Sequence, residues 1–474
     1  MAKQDDSNKA VLSKIPSVDT LLKAPELEDC AAEVGRNVVV NSIREAIEEV
    51  RALLIKQAPS EKDENAIRQQ IIVDVRHRLK AMMSTHYRKV INATGIILHT
   101  GLGRAVLPSR ALRQIQDELS GYSLLQVDTG EGKRSKRDGR IEQLLQQLTG
   151  AEAATVVNNN AAATSIVLNT VAKDKEVIVS RGQLVEIGGA FRLPDVMAFS
   201  GARLVEVGTT NKTHARDYVN AITENTAAIL RVHPSNYKIQ GFSSEVSLDE
   251  LVEIAHKHEL VMIDDVGAGA LIDFSQFGFE PEPTLTESIG RGADIVTSSA
   301  DKLIGAAQAG IILGRAGLIS AIRKNQFARI VRVGKLTLAA LEATLMLFLD
   351  ESIALREVPT LQMLRREASE ISKLAERLAV QLSKNISGAA VTTIGGFSQM
   401  GSGSLPEQNL PTTLITLSPE KISAESLAKQ LRQYVTPIFT RIRNDQVLID
   451  PRTLLAGDDK ILVEALLEIL GHKD

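Results

Sequence analysis

Cysteine is almost absent from this chain of 474 residues, which contains Cys30 alone. A single thiol excludes a disulfide framework within the chain and any zinc site built on several thiolates. Long apolar runs are missing too: the longest span about six to eight residues, whereas a transmembrane helix needs about 20. The first residues, MAKQDDSNK, lack the apolar core of a signal peptide. We therefore expect a cytoplasmic protein.

An excess of charge of one sign is also missing. The chain has 55 Lys and Arg against 58 Asp and Glu, a formal net charge of −3. Its overall charge does not attract nucleic acid, so such a partner would have to bind a local basic patch. One such patch is predicted near the end of the N-terminal region, at Arg76, His77, Arg78, Lys80, His86, Arg88 and Lys89.

The hydrophobic pattern divides the chain into three predicted domains. Residues 1–90 form a small helical domain, with one helix over 42–57 that starts at a Ser42–Glu45 capping box, the breaker Ala58-Pro59-Ser60, and a second helix over about 64–83. Residues 351–474 begin with a long helix pattern through Leu382 and continue with mixed strand and helix signals. That mixture is typical of a compact α+β domain.

Between them, residues 91–350 alternate short β-rich runs with helix-like stretches. This alternation predicts a large α/β domain with a mostly parallel, seven-stranded sheet covered on both faces. The predicted strands are 154–157, 176–180, 203–207, 227–232, 261–265, 295–298 and 310–313.

The segment 298–305, SSADKLIG, carries the most informative residue, Lys302, directly after a buried strand. Alone, this lysine is as typical of a solvated loop as of a Schiff-base lysine. The second interpretation places it at the carboxyl edge of the sheet, where ligands of α/β proteins bind.

An acid at the end of an earlier strand favours the second interpretation. Strand 261–263 ends in Asp264 and Asp265. Pyridoxal phosphate needs a carboxylate against its pyridine nitrogen, because the protonated ring is the electron sink. Strand register decides which aspartate supplies it, and we favour Asp265; a helix N-cap or a metal ligand is the other interpretation.

Two further segments complete a predicted cofactor site. After strand 154–157, Asn158 to Ala163 enter a helix, and the backbone N–H groups at such a helix start bind anions. We expect Asn159, Asn160 and Ala161 to hold the phosphate there. The loop that begins at Ser180, with Gln183, could cover the face of a bound ring. The sequence contains no predicted metal site.

Taken together, these motifs resemble those of the bacterial selenocysteine synthases, the L-seryl-tRNA(Sec) selenium transferases. The resemblance covers essentially the whole chain. It lies in residues 15–19 (IPSVD), 91–95 (INATG), 99–104 (HTGLGR), 157–163 (VNNNAAA), 180–189, 207–211 (VGTTN), 301–302, 337–344 (TLAALEAT) and 403–406 (GSLP).

The resemblance implies a fold-type-I pyridoxal phosphate enzyme whose N-terminal domain contacts tRNA. It implies the conversion of seryl-tRNA(Sec) to selenocysteinyl-tRNA(Sec) through an aminoacrylyl intermediate, with selenophosphate as the donor. Family members are ring-shaped, decamer-like homo-oligomers with active sites at subunit interfaces, and neither DNA nor a membrane is an expected partner.

The resemblance also implies roles for individual residues. Lys302 would hold the cofactor and shuttle protons, and Asp301 would act in catalysis at the leaving hydroxyl. Arg104, Arg329 and Arg332 match anion-binding arginines of the family. Arg137, within the basic cluster 133–140, could meet phosphates of tRNA or of the cofactor across an interface.

Small departures from the family pattern leave two other hypotheses open. They are Ala268, Ala300, Ala306-Ala307 and the segment Asp138-Gly139-Arg140. One alternative is a pyridoxal phosphate lyase acting on a free amino acid or amino-sugar acid without tRNA. The other is a ring-forming RNA-binding protein with a decayed cofactor site, and the presence of Lys302 argues against it.

Overall fold

The structure is a computed structural model that describes residues 12–56, 63–189, 191–404 and 408–472. The chain forms two compact units, Met1–Lys89 and Val90–Asp474. The division into three domains with boundaries at 90 and 350 stays a prediction. Within the described residues, no helix is long and apolar enough to cross a membrane.

The N-terminal unit is helical, as predicted. Its helices are α1 (Val18–Leu22), α2 (Pro25–Val34), α3 (Arg36–Lys56) and α4 (Glu64–Met83). They bury a shared apolar cluster that includes Leu21, Leu27, Ile43 and Ile71. The predicted bounds of α4 are confirmed. Gln57 and the breaker Ala58-Pro59-Ser60 lie outside the described residues.

The predicted start of α3 at Ser42 is wrong. The helix begins at Arg36, and Ser42 lies inside it with a side chain that is 1% exposed. Val39, one turn earlier, is fully buried and extends the apolar stripe toward the N-terminus. Burial of that extra turn stabilises helix before Ser42, so the capping-box spacing of Ser42 and Glu45 does not mark its first turn.

All seven predicted strands belong to one sheet. The strands of the second unit are β1 (Ile91–Asn92), β2 (Ala153–Val157), β3 (Glu176–Ser180), β4 (Glu186–Ile187), β5 (Phe191–Arg192), β6 (Arg203–Val207), β7 (Thr226–Val232), β8 (Val261–Gly267), β9 (Ile295–Ser299), β10 (Gly310–Gly314), β11 (Ala389–Ser398), β12 (Leu410–Pro419), β13 (Ile438–Phe439), β14 (Arg441–Arg443) and β15 (Gln446–Ile449). The seven-stranded sheet has the order β2-β10-β9-β8-β7-β3-β6. Six strands point one way and β10 runs against both neighbours. The mostly parallel sheet is therefore confirmed.

Helices cover both faces of this sheet. The helices of the second unit are α5 (Ser109–Glu118), α6 (Gly139–Thr149), α7 (Asn160–Ala172), α8 (Leu193–Ser200), α9 (Ala215–Ala221), α10 (Leu248–Lys257), α11 (Leu285–Gly290), α12 (Ala316–Lys324), α13 (Phe327–Ile330), α14 (Lys335–Leu347), α15 (Glu351–Glu357), α16 (Pro359–Arg365), α17 (Ala368–Asn385), α18 (Ala424–Gln433) and α19 (Asp458–Leu470). Successive residues of β10 pack into different cores: Ile311 lies in one apolar cluster and Ile312 in another. Burial on both faces explains the continuous apolar runs in the sequence.

The C-terminal region has a four-stranded antiparallel sheet, β11-β12-β15-β14, packed with helices. The single helix predicted over 351–382 is wrong, because the region contains three helices, α15 to α17. Pro359 is the first residue of α16. Proline fits a helix start but removes the N–H that a continuous helix would need, so α15 ends just before it.

The packing of β10 generates a stability prediction. A Cβ atom at Gly310 would lie 2.1 Å from the backbone oxygen of Asn159, whereas one at Gly317 in α12 would meet nothing within 4 Å. We expect Gly310→Ala to lower the free energy of unfolding by about 1–3 kcal/mol, because Asn159 has to move. The matched control, Gly317→Ala, should be neutral or stabilising by up to about 1 kcal/mol. Denaturant unfolding of both variants measures this, and equal midpoints would contradict the close approach.

Candidate active site

Lys302 lines a cavity of about 530 Å³ at the carboxyl edge of the parallel strands. We call it the lysine cavity. It brings together seven residues that the sequence analysis singled out: Lys302, Asp301, Asp265, Asn159, Asn160, Ala161 and Arg104. Asn159, Asn160 and Ala161 follow β2, Asp265 lies near the end of β8, and Asp301 and Lys302 follow β9, whereas Arg104 belongs to the segment between β1 and α5. The strand direction therefore gathers these side chains in one place.

The Lys302 side chain is almost completely buried, with 5% of the residue exposed. Burial lowers the pKa of its ammonium group, and the positive charge of Arg104 lowers it further; Asp301, Asp265 and Glu282 act in the opposite direction. The amine is therefore neutral over a wider pH range than a surface lysine. A neutral, desolvated amine is the form that attacks a carbonyl carbon.

The structure separates the two adjacent aspartates by face, because side chains alternate along a strand. Asp265 lines the lysine cavity, and its carboxylate accepts hydrogen bonds from Asn160 Nδ2 (2.9 Å), Thr164 Oγ1 (2.9 Å) and the Gly267 N–H (3.0 Å). Burial raises its pKa, and these hydrogen bonds oppose the rise.

Asp264 points to the other side of the sheet. Its carboxylate pairs with Arg231 Nη1 at 2.9 Å and accepts the Ser288 hydroxyl at 2.7 Å. Among the residues that the structure describes, the lining of the lysine cavity includes Asp265 and not Asp264. Asp264 is thus a buried structural partner of Arg231.

The start of α7 forms the third side of the lysine cavity. Asn159 is its N-cap and accepts the Ala162 N–H at 2.9 Å. Asn160 donates to Asp265, while its Oδ1 is buried without a hydrogen-bond partner. A buried, unsatisfied acceptor is costly unless a ligand or water completes it. The N–H groups of the helix start are suited to the anionic part of a ligand, and the Asn160 Oδ1 atom is suited to a hydrogen-bond donor of the same ligand.

Arg104 and Asp301 form an ion pair on another wall, with Arg104 Nη1 2.8 Å from Asp301 Oδ2. Arg104 adopts a left-handed backbone conformation, with φ of 60°. The pair also lines a second space of about 520 Å³, with Ala306, Ala307 and Gln308. We call it the arginine cavity. The pair therefore stands where the two cavities meet.

Four residues singled out from the sequence do not belong to the described lining of the lysine cavity: Gln183, Arg137, Arg329 and Arg332. The Gln183 side chain is buried, and its Oε1 accepts the Val232 N–H at 3.1 Å. Arg137 donates to the Val333 carbonyl and to Gln126. Arg329 and Arg332 are exposed. The ligand-binding roles assigned to these four residues stay predictions. In the motif 403–406, Gly403 lines the lysine cavity, whereas residues 405 and 406 lie outside the described residues.

Sequence reasoning missed the turn that follows β7. His233 and Ser235 both line the lysine cavity. Ser235 is 1% exposed, and its hydroxyl oxygen has no hydrogen-bond partner. His233 Nε2 lies 3.1 Å from Glu282 Oε2. The available signal was position: polar residues directly after a buried strand of the same sheet.

Comparison with known proteins decides the family. Residues 90–455 match the family model described as L-seryl-tRNA selenium transferase, and residues 12–51 match that of the selenocysteine synthase N terminal. The chain belongs to the L-seryl-tRNA selenium transferase family. It is 46% identical over 461 residues to the L-seryl-tRNA(Sec) selenium transferase of Alkaliphilus oremlandii, covering 97% of this chain and 99% of that protein. Identity to the protein of the same name from Clostridium botulinum (strain Loch Maree / Type A3) is 44% over 463 residues, covering 98% and 99%.

A solved structure shows the same fold. D-glucosaminate-6-phosphate ammonia-lyase matches with a TM-score of 0.56 and 22% identity, covering 82% of this chain and 99% of that one. The predicted fold class, a fold-type-I pyridoxal phosphate enzyme with a helical N-terminus, is confirmed. Pyridoxal 5′-phosphate is the cofactor of this selenium transferase family. The residues of the lysine cavity fit it: a buried amine, a buried carboxylate and a helix start with an unsatisfied acceptor in one cavity.

The two aspartates make separable predictions. Asp265→Asn should weaken cofactor binding and shift its visible absorbance, because a neutral amide no longer stabilises a protonated ring nitrogen. Its stability should change little, since burial already disfavours the Asp265 charge. Asp264→Asn should instead lower stability by about 3–5 kcal/mol, because Arg231 loses its buried partner. Cofactor titration and unfolding of the cofactor-free variants test both, and the reverse pattern would assign the ring nitrogen to Asp264.

The charges around Lys302 predict opposite shifts in a pH profile. Cofactor attachment requires the neutral amine, so the attached fraction increases as the pH rises through the pKa of Lys302. Arg104→Gln removes a charge that lowers this pKa, and should move the profile to higher pH. Asp301→Asn removes a charge that raises it, and should move the profile to lower pH. Absorbance at a series of pH values measures both.

Arg315→Gln is the matched control for these two variants. Arg315 pairs with Asp294 at 2.6 Å, beyond the carboxyl end of β10 and thus at the opposite edge of the sheet. Its profile should equal that of the unmodified protein. Shifts of Arg104→Gln and Asp301→Asn in the same direction would contradict the assigned electrostatics.

Proposed function

We propose that this protein converts L-seryl-tRNA(Sec) to L-selenocysteinyl-tRNA(Sec) with pyridoxal 5′-phosphate as cofactor and selenophosphate as selenium donor. The observation that carries the proposal is the near-complete match to L-seryl-tRNA(Sec) selenium transferases together with Lys302 and Asp265 on one cavity. The cofactor, when bound, supplies the electron sink that makes the serine α-proton acidic enough to remove near neutral pH.

Lys302 and Asp265 have different roles toward the cofactor in this proposal. Lys302 would hold the cofactor at its aldehyde carbon, and its neutral amine would accept the α-proton of serine. Asp265 would keep the ring nitrogen protonated. The start of α7, with Asn159, Asn160 and Ala161, would bind the phosphate through backbone N–H groups.

Asp301 and Arg104 act at the β-carbon of serine. Asp301 handles the proton on the departing hydroxyl, and its ion pair with Arg104 fixes its orientation. Arg104 faces the arginine cavity, where its guanidinium binds the phosphate of the donor. Arg329, Arg332 and Arg137 are further anion-binding residues of the proposal.

The RNA partner binds through local positive charge in this proposal. Arg76, Lys80 and Arg88 are exposed in or just after α4 of the N-terminal unit, which we propose contacts tRNA. In this proposal the α/β domain at 91–350 binds the cofactor, and the small α+β domain at 351–474 forms the rest of the chain. The protein acts in the cytoplasm as a ring-shaped homo-oligomer, without DNA or membrane partners.

A lyase for a free amino acid or amino-sugar acid is not favoured. The likeness to D-glucosaminate-6-phosphate ammonia-lyase is 22% in identity and shows a shared fold, whereas the selenium transferases match nearly full length at 44–46%. The decayed-site hypothesis has no support either, since the lysine cavity keeps both its amine and its carboxylate.

The proposal predicts selectivity for one tRNA and dependence on one amine. The protein should bind seryl-tRNA(Sec) more tightly than ordinary seryl-tRNA at physiological salt, and should form selenocysteinyl-tRNA(Sec) only with the donor present. Lys302→Ala should lose conversion by at least about 10³-fold and lose covalent cofactor attachment, while still binding tRNA. Lys324→Ala, an exposed lysine in α12, is the matched control and should behave like the unmodified protein.

Filter binding, acid-stable product analysis and mass spectrometry of the residue 302 peptide provide the measurements. Equal affinity for both seryl-tRNAs would remove the selenium transferase proposal. Elimination from free serine at a rate unaffected by tRNA would support the lyase instead.

A further inference from the structure

The turn that follows β7 presents an unsatisfied hydroxyl group to the lysine cavity. In the described lining of this cavity, two buried side-chain atoms have no hydrogen-bond partner: Asn160 Oδ1 and Ser235 Oγ. Ser235 is 1% exposed. A buried hydroxyl without a partner is costly, so this position is suited to a hydrogen-bond acceptor that a ligand supplies.

The other polar side chains of this turn already have partners. His233 Nε2 lies 3.1 Å from Glu282 Oε2, and Asn236 Nδ2 donates to the Glu186 carbonyl at 2.8 Å. Both residues line the lysine cavity together with Ser235. Of these three polar side chains, that of Ser235 is the one without a partner among the described residues.

Backbone contacts hold Ser235 beside the end of β8. The Ser235 N–H donates to the His233 carbonyl at 2.8 Å, and the His233 N–H donates to the Asp265 carbonyl at 2.9 Å. A Cβ atom built on Gly267 would lie 3.4 Å from Ser235 Oγ, and the Gly267 N–H itself donates to the Asp265 carboxylate at 3.0 Å. The Ser235 hydroxyl therefore lies close to the carboxylate that faces the ring nitrogen in the proposed function.

The covalent structure of pyridoxal phosphate determines which of its groups can reach this hydroxyl. The ring nitrogen and the aldehyde carbon lie opposite each other, and the phosphate arm and the ring hydroxyl lie on opposite sides of the line between them. In the proposed function, Asp265 on β8 faces the nitrogen, Lys302 after β9 holds the aldehyde carbon, and the start of α7 after β2 binds the phosphate. The sheet order β2-β10-β9-β8-β7 places β2 and β7 on opposite sides of β8 and β9. With the phosphate on the β2 side, the ring hydroxyl points toward the turn after β7.

We propose that Ser235 donates a hydrogen bond to the ring hydroxyl oxygen of the bound cofactor and thereby lowers the proton affinity of the nitrogen that joins the cofactor to Lys302. The inference rests on the proposed function and adds a residue to its cofactor site. The ring oxygen and that nitrogen share one proton, because their carbon atoms are neighbours. A second donor draws electron density from the oxygen, which then holds the shared proton less firmly.

A pH titration of the visible absorbance at saturating cofactor measures this proton affinity. Ser235→Ala should raise the affinity about 2- to 12-fold, the value of one hydrogen bond, and move the midpoint to higher pH. Ser235→Thr keeps the hydroxyl and should titrate like the unmodified protein. Ser200→Ala is the matched control, because Ser200 is 0% exposed but its Oγ donates to the Met197 carbonyl at 2.7 Å within α8. Its midpoint should not move.

A cofactor analogue without the ring hydroxyl, 3-deoxypyridoxal 5′-phosphate, tests the same contact at a single pH. The described lining of the lysine cavity contains five titratable side chains, those of Arg104, His233, Asp265, Asp301 and Lys302. A comparison at one pH avoids titrating them. Replacing the cofactor by the analogue should cost the unmodified protein about 2- to 12-fold more affinity than it costs Ser235→Ala, because that variant has already lost the donor.

Unfolding of the cofactor-free variants separates this role from a structural one. Ser235→Ala should unfold at the same denaturant concentration as the unmodified protein or a higher one, since its hydroxyl has no protein partner to lose, whereas Ser200→Ala should unfold at a lower one. An unchanged absorbance midpoint in Ser235→Ala would overturn the inference, as would an equal loss of affinity for the analogue in both proteins. Either result leaves the proposed function standing if the unmodified protein attaches pyridoxal 5′-phosphate at Lys302 and converts seryl-tRNA(Sec). Failure of that attachment would instead contradict the proposed function itself.

Discussion

Burial of the Lys302 amine removes the water that would stabilise its positive charge. The charges of neighbouring residues then decide how readily the amine is protonated. Arg104 adds a like charge that disfavours protonation, while Asp301, Asp265 and Glu282 add opposite charges around it. The net effect is a lowered pKa, so the amine is neutral over a wider pH range than that of a surface lysine. The neutral amine is the form that attacks a carbonyl carbon and the form that can accept a proton.

The sheet makes this arrangement possible because its strands point one way. Lysine, acid and helix start each lie at the carboxyl end of a different strand, and they meet where the carboxyl ends of parallel strands adjoin. Strand β10 is the exception, because it runs antiparallel to both of its neighbours. Its first residue, Gly310, therefore lies at the carboxyl ends of the other strands, where it packs against the Asn159 carbonyl at the start of α7. The packing of the sheet and the geometry of the predicted anion site therefore share a contact.

Sequence patterns predicted the parts of the fold that depend on local burial. Fully buried strands appear in the sequence as short apolar runs, and α4 begins and ends where the helical pattern of its apolar residues begins and ends. Two predictions were wrong, each for its own reason: the start of α3 at Ser42, and the single helix over 351–382. Tertiary burial of Val39 outweighed a local capping pattern, and the broad amphipathic pattern masked the break at Pro359.

The site was predictable to the extent that strand ends determine it. Lys302 and the Asp264–Asp265 pair were found because both follow buried strands, whereas the choice between the aspartates needed the register that the structure supplies. His233 and Ser235 come directly after the buried strand β7, and that position was the available signal, but only the structure shows that both line the lysine cavity.

In the proposed chemistry, the selenium donor has to reach the same carbon that the hydroxyl leaves. The arginine cavity shares the Arg104–Asp301 pair with the lysine cavity, so an anion bound at Arg104 would lie beside the carboxylate that we propose acts at the departing hydroxyl. Departure of the hydroxyl and entry of the donor would then take place at one wall of the lysine cavity.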